Sequence, residues 1–283
     1  MPMIYLLIQS EPVSFNPIMV FGFVGVILLI CSYYILRFLE TLYTKYYKRP
    51  YFVHWYLFVK EISPKQKQIL NEFPFYQKLQ KREQKYFEHR IYRFLENTNI
   101  HGREGFQVIE DVEVSIAMVA VMLTFGMRNY LLEHLQTLLV YPKAYFSVMN
   151  QAEHKGEYNP RLKTLVLSWE DFVDGNQVDD DAINLGIHEF THAVHYNAIK
   201  NSDISSELFY DTFLILEEYL SDELLRTRLN SSNVLREYAF TDKFEFVAVL
   251  IEVFIESPQK LKNGFPRVYE LVRQMLNFRF AGY

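Results

Sequence analysis

His188-Glu189-Phe190-Thr191-His192 is the stretch on which the reading of this chain turns. Around it Ile183, Ile187, Phe190 and Val194 recur at helical spacing, which predicts a helix from about residue 181 to 199 with that stripe in the core. Two imidazoles four positions apart then project from one face, a turn apart, and can reach one metal ion. Glu189 falls between them, beside the coordination position left for water, where a general base belongs. Asp179, Asp180 and Asp181 precede the helix, where carboxylates suit its positive end and cap its free N–H groups.

The composition narrows what such a site can be. The chain has 283 residues, 50% of them hydrophobic, and a net charge of −5. That length can build a large domain with a real core. Phosphate binding needs a positive footprint, so nucleic acid is not expected as a partner. Cys31 is the single cysteine, which excludes a disulfide framework and any zinc site of several thiolates. A zinc ion (Zn2+) would have to be held by His and carboxylate.

Residues 17–38 run without a charge through Ile18-Met19-Val20-Phe21 and on to Leu36, broken only by Arg37 at the far end. That is about the 20 residues needed to cross a hydrocarbon core as a helix. A signal peptide would carry a positive leading region and a small-residue cleavage site, and neither stands here. Residues 1–16 lack Lys and Arg, whereas Arg37, Lys45, Lys48 and Arg49 follow the span. The one-sided charge predicts a short extracytoplasmic N-terminus, a single transmembrane helix over 17–38 and everything later in the cytoplasm. Residues 39–72 read as a juxtamembrane arm rich in Tyr, Phe and Trp, suited to the headgroup layer or to ordinary helix packing.

Residues 73–283 read as the functional domain, α+β and mainly helical with a small sheet. A helical pattern runs from Phe73 to Leu95, and Asn97 to Phe106 is a polar connection. Val112–Leu123 is too short to span a bilayer and reads as a buried helix. Thr137–Tyr141 and Thr164–Trp169 read as strands, the second a possible rail for an extended substrate. Further helices are expected over residues 205–229, over 244–255 and from Pro266 onward.

A zinc site needs a third ligand. A His six residues past His192 would continue the metzincin pattern, but that position holds Ala198, and position 195 holds His rather than Gly. A Glu on a later helix, the gluzincin solution, remains. Glu217-Glu218 with Asp222 offers one spacing, in a helix whose other charges mark a solvated face. Glu245 and Glu252 stand seven apart on one face of an otherwise apolar helix. A carboxylate facing a core is costly unless paired or bound to metal, which favours Glu245 or Glu252 without choosing between them.

Other segments recur in a recognisable order: Phe73-Pro74-Phe75-Tyr76, Leu139-Val140-Tyr141-Pro142, Leu167-Ser168-Trp169, Asn184 four residues before His188, Tyr238-Ala239 seven residues before Glu245, and Phe246-Val247-Ala248-Val249. Together with the motif they cover about residues 73–276, and there the chain resembles the Mlc titration factor A family of zincin-like zinc metallopeptidases. The Tyr-to-Glu spacing is also similar to that of the anthrax lethal factor catalytic domain. The resemblance implies a zincin-like fold, Glu245 as third ligand, Glu252 as a carboxylate behind the ligands, and Tyr238 facing the reacting carbonyl. It departs at His195, where the family has an Asp able to orient a ligand imidazole. His195 brings no fixed negative charge and is expected behind the ligands or at the surface.

The expected function is that of a membrane-anchored, zinc-dependent peptidase of gluzincin type, in which His188, His192 and Glu245 hold zinc and Glu189 and Tyr238 are catalytic. Its partners would be a peptide or protein substrate and the membrane. The family name also implies a regulatory protein that sequesters a cytoplasmic partner such as a transcriptional repressor, with peptidase activity weak or vestigial.

Overall fold

Residues 16–147, 152–177 and 183–283 are described by a computed structural model. Helix α1 (Pro17–Tyr47) begins on the Asn16 side chain, which accepts the Ile18 N–H, and stops where Lys48 turns left-handed. It is long and apolar enough to cross a membrane or to serve as a signal sequence, and no other part of the described chain covers its apolar stretch. After an irregular arm come α2 (Pro64–Leu70), α3 (Pro74–Lys78) and α4 (Lys81–Asn97). The single helix expected over 73–95 is thus two, broken at Leu79-Gln80, where the Gln80–Glu83 capping box opens α4.

Strand β1 (Asn99–Gly102) lies inside the stretch expected to be a loop. Its four residues hold only Ile100 as a strand former, too short a run for periodicity to register. Helix α5 (Glu110–Thr124) is the buried helix anticipated over 112–123, opened by Glu110, Asp111 and Glu113 at its positive end. Then follow β2 (Thr137–Tyr141), β3 (Tyr145–Ser147), β4 (Ala152–His154), β5 (Gly156–Asn159) and β6 (Thr164–Ser168), with β3 and β4 forming a separate antiparallel pair. In the main sheet the order is β1-β2-β6-β5, with β5 antiparallel at one edge. β6 is therefore hydrogen-bonded on both sides and offers no free edge to a substrate, which corrects the expected rail. The edge strand beside the motif helix is β5.

Helix α6 (Trp169–Gln177) starts at the last residue assigned to that strand, and the motif helix α7 (Leu185–Lys200) follows. Asp179, Asp180 and Asp181 lie outside the described residues; the N-cap of α7 is Asn184, whose side chain accepts the Ile187 N–H at 3.0 Å. Ile183 precedes the helix and is exposed, so the core stripe consists of Ile187, Phe190 and Val194. The helix expected over 205–229 is α8 (Ile204–Tyr219) and α9 (Glu223–Ser231). The break occurs because Asp222 accepts the N–H groups of Leu224 and Leu225 at 2.9 and 3.1 Å, which starts a new helix. A 3₁₀ turn (Glu237–Phe240) leads into α10 (Lys243–Glu256), and α11 (Pro258–Gly264) and α12 (Pro266–Met275) close the chain.

The core is built around α5, whose buried face meets α4 and α7, with Phe94 and Phe190 edge-on at 6.2 Å. On the other side of α7 lie α8 and α10, so the motif helix is wrapped by helices and capped by the β5 edge.

Candidate metal centre

Two helices carry the centre. In α7 the imidazoles of His188 and His192 face each other with their Nε2 atoms 3.1 Å apart. Asp242 caps α10 through the N–H groups of Phe244 and Glu245, at 2.7 and 3.0 Å, and so fixes Glu245 at the start of that helix. Glu245 then lies 2.9 Å from His188 Nε2 and 3.4 Å from His192 Nε2. One nitrogen or oxygen from each of the three residues falls within 4.8 Å of the other two, the one such three-residue group among the described residues.

What orients His188 lies beneath it. Glu252, two turns along α10, is completely buried and its Oε1 stands 2.7 Å from His188 Nδ1. Arg236 grips the same carboxylate with two parallel bonds of 2.8 Å, and the Asn184 N–H donates to it at 3.0 Å. The guanidinium is the neutralising charge that lets a carboxylate sit in the core. In the neutral ring that donates Nδ1–H to Glu252, the lone pair of His188 lies on Nε2 and points at the shared centre.

These donors fit a cation. Three donor atoms converge, and the Glu245 oxygen that stands 2.9 Å from His188 Nε2 is buried without a well-aligned hydrogen bond. Burial opposes charge on His188, yet Glu245 and Glu252 outweigh it and push the imidazole up to about 9. Burial likewise opposes charge on Glu245, and the two imidazoles hold its carboxyl well below the usual range. Both directions report imidazoles and carboxylates held against one another at a single point. His and carboxylate donors in a three-ligand set suit zinc with one open position.

Glu189 points from the same turn of α7 toward β5. Burial raises its carboxyl above the ordinary value despite the neighbouring imidazoles, a direction that suits proton transfer near neutrality. A Cβ on Gly156 of β5 would lie 2.7 Å from Glu189 Cγ and from Leu185 Cδ1 and 2.9 Å from Glu189 Oε1, so a larger residue there has to displace these side chains. Tyr238 stands in the 3₁₀ turn with its ring half exposed, 6.0 Å from the His188 ring. Burial of its hydroxyl, then the Glu245 charge and a hydrogen bond to that carboxylate, push it up to about 12.

His195 is neither behind the ligands nor at the surface. It is buried among Phe213, Phe244 and Phe209, ring centroids 4.4, 5.1 and 5.5 Å away, and neither ring nitrogen has a hydrogen-bond partner. Its place on α7 turns it toward α8, where an imidazole packs as an aromatic ring. The competing segment is elsewhere: Glu217 pairs with Lys243 at 3.5 Å and Asp222 caps α9.

Arg236 and Gly156 are the residues that motif reasoning missed. Nothing marks Arg236 among the other arginines before folding sets it against Glu252. Gly156 carried the weak signal of a glycine in a strand.

The glucose-regulated metallo-peptidase M90 family model matches residues 54–277. The chain belongs to that family. An uncharacterized protein of Synechocystis sp. is 25% identical over 245 residues, 80% of this chain and 89% of its own length. Mlc titration factor A of Yersinia enterocolitica is 32% identical over 114 residues, 37% of this chain and 41% of that protein. The family match begins within the arm, upstream of the Phe73 boundary read from short segments.

Three outcomes are expected. Arg236→Met, which leaves Glu252 without its counter-charge, lowers zinc affinity about 10–100-fold in a chelator competition, the usual effect of losing a ligand's outer partner; unchanged affinity contradicts the clamp. Gly156→Ala displaces Glu189 and reduces turnover while leaving bound zinc at the wild-type level, and a fully active variant would show that the strand yields instead. The third concerns His195, which burial, with His192 and Lys243 adding, holds down to about 4. An unfolded His titrates near 6.5, so the stability tied to the neutral ring is complete above that pH and is lost as pH falls toward 4. His195→Leu should therefore show a shallower drop in Tm than wild type between those values; equal drops in both proteins count against it.

Proposed function

We propose that the protein is a zinc-dependent peptidase of gluzincin type, anchored by α1 in the cell membrane as a single-pass span with the domain on the cytoplasmic side. The observation that carries this reading is the convergence of His188, His192 and Glu245 on one point, with Glu189 beside it. The wrapped motif helix, the β5 edge above it and a carboxylate from a later helix support a zincin-like fold.

His188 Nε2, His192 Nε2 and Glu245 would hold the zinc ion, which when bound supplies Lewis acidity and lowers the pKa of a coordinated water to about 7. Glu252 keeps His188 in the tautomer whose Nε2 is free of a proton, and Arg236 holds Glu252 in place with two hydrogen bonds. Glu189 accepts the proton of the attacking water and returns it to the leaving amine. Tyr238 donates its hydroxyl to the oxygen that gains charge on the reacting carbonyl. An extended peptide is placed along β5, the sheet's edge strand beside the motif helix. The positive residues at the C-terminal end of α1 and just beyond it, Arg37, Lys45, Lys48 and Arg49, support the cytoplasmic placement.

A second reading is a regulatory protein that sequesters a cytoplasmic partner, such as a transcriptional repressor; what favours it is the similarity to a relative named for titrating another factor. Glu189→Gln separates the two. On the peptidase reading it retains zinc, loses peptide cleavage by about 10²-fold or more and holds a substrate that wild type releases cut. Full cleavage by the variant would sink the mechanism, and a partner held equally by both forms would favour the regulatory reading.

A further inference from the structure

The arm between α1 and α2 has two faces. On the inner one, His54 stacks on Tyr86 at 4.8 Å and packs against Phe125 at 4.6 Å. The Tyr56 hydroxyl accepts from Arg90 Nε at 2.7 Å, and the Lys60 N–H donates to His89 Nδ1 at 2.9 Å. These contacts nail the chain to α4. On the outer face Trp55, Leu57 and Phe58 are 72%, 80% and 82% exposed. A pinned segment that displays three large apolar side chains is an uncommon soluble surface and marks an interaction site.

The end of α1 is gripped as well. The Arg128 guanidinium pairs with both carboxylate oxygens of Glu40, lies 3.7 Å from the Phe52 ring centroid and donates to the Phe52 carbonyl at 3.1 Å. The Arg128 N–H reaches Ser205 Oγ at 2.8 Å, which ties this clamp to the start of α8. Thr44 is buried in the same contact zone. The last turns of α1 are thus held by the domain, not joined to it by a free linker. From the turn at Asn201, α7 leads back to His192 and His188 over about 14 and 20 Å at 1.5 Å per residue.

We propose that Trp55, Leu57 and Phe58 are a membrane seat: they enter the headgroup layer of the bilayer that α1 crosses, and the Glu40–Arg128 clamp fixes the domain on that surface in one orientation. This rests on the reading of α1 as a span. The occupant is a lipid surface because Trp55 packs edge-on at 6.4 Å to Phe52, the ring against the Arg128 that holds Glu40 of α1, and because Lys45, Lys48 and Arg49, between the apolar stretch and the patch in the chain, attract anionic headgroups. Exposed Tyr46 and Tyr51 add the amphipathic rings that prefer this layer. Seated in this way, the metal centre meets its substrates close to the membrane surface.

The chain has 2 tryptophans, Trp55 and Trp169. The test uses the full chain with Trp169→Phe, reconstituted in vesicles of phosphatidylcholine and phosphatidylglycerol carrying brominated acyl chains. Co-flotation with the vesicles is read first. The proposal expects Trp55 emission to be quenched about twofold more strongly by bromines near the headgroups than by bromines at the bilayer centre, and to be shielded from iodide. A chain that does not float removes the anchor and the seat together. A chain that floats with Trp55 open to iodide overturns the seat alone. One that floats with Trp55 shielded from both quenchers overturns it in favour of cover by a second copy. Where Trp169→Phe disturbs the far-ultraviolet circular dichroism, the wild-type chain read against Trp55→Phe gives the same quenching by difference.

Discussion

A buried carboxylate, Glu252, organises the centre of this molecule. It joins three pieces of chain: α10, which carries it; the Arg236 segment, which neutralises it; and the start of α7, where the Asn184 N–H donates to it and the His188 ring is turned by it. A carboxylate at zero exposure is tolerated only with such a partner set, and removing one member of a buried pair typically costs about 3–5 kcal/mol. The same bonds that make Glu252 acceptable in the core therefore fix the angle of the His188 imidazole. Stability and site geometry rest on one network.

From that fixed ring the remaining chemistry follows by position. His192 lies one turn on, Glu245 two turns back along α10 from Glu252, and their heteroatoms crowd to a point that favours a cation. Glu189 is pressed against β5 at Gly156, where a Cβ would displace its side chain. Burial shifts its carboxyl upward, whereas on Glu245 the same effect of burial is outweighed by the His188 and His192 imidazoles, which draw it down. The two carboxylates, both near the same imidazoles, are pushed in opposite directions by surroundings, and that division is what the proposed roles of base and ligand require.

Much of this was legible before folding. The i, i+4 imidazoles, the apolar run of α5 and the two carboxylates seven apart on α10 are periodic signals, and periodicity reports which residues share a face. What periodicity does not report is where faces meet. Nothing in Arg236 or Gly156 distinguishes them until a turn and a strand edge are placed against α7. The strand β1 was missed because four residues hold too little pattern, and the long helix over 205–229 was misjudged because Asp222 restarts the helix locally. His195 is instructive: its spacing after the motif invited a role near the ligands, but α7 turns it toward Phe209, Phe213 and Phe244 instead.

The central claim is that the Glu252 network presents His188, together with His192 and Glu245, to one metal ion. Anomalous X-ray diffraction from crystals grown with zinc, recorded on both sides of the zinc absorption edge, tests it most directly. The account predicts a single strong anomalous peak within about 2.0–2.2 Å of His188 Nε2, His192 Nε2 and a Glu245 oxygen. A peak on Glu217 or Asp222, or none near α7 at full zinc occupancy in solution, would contradict it.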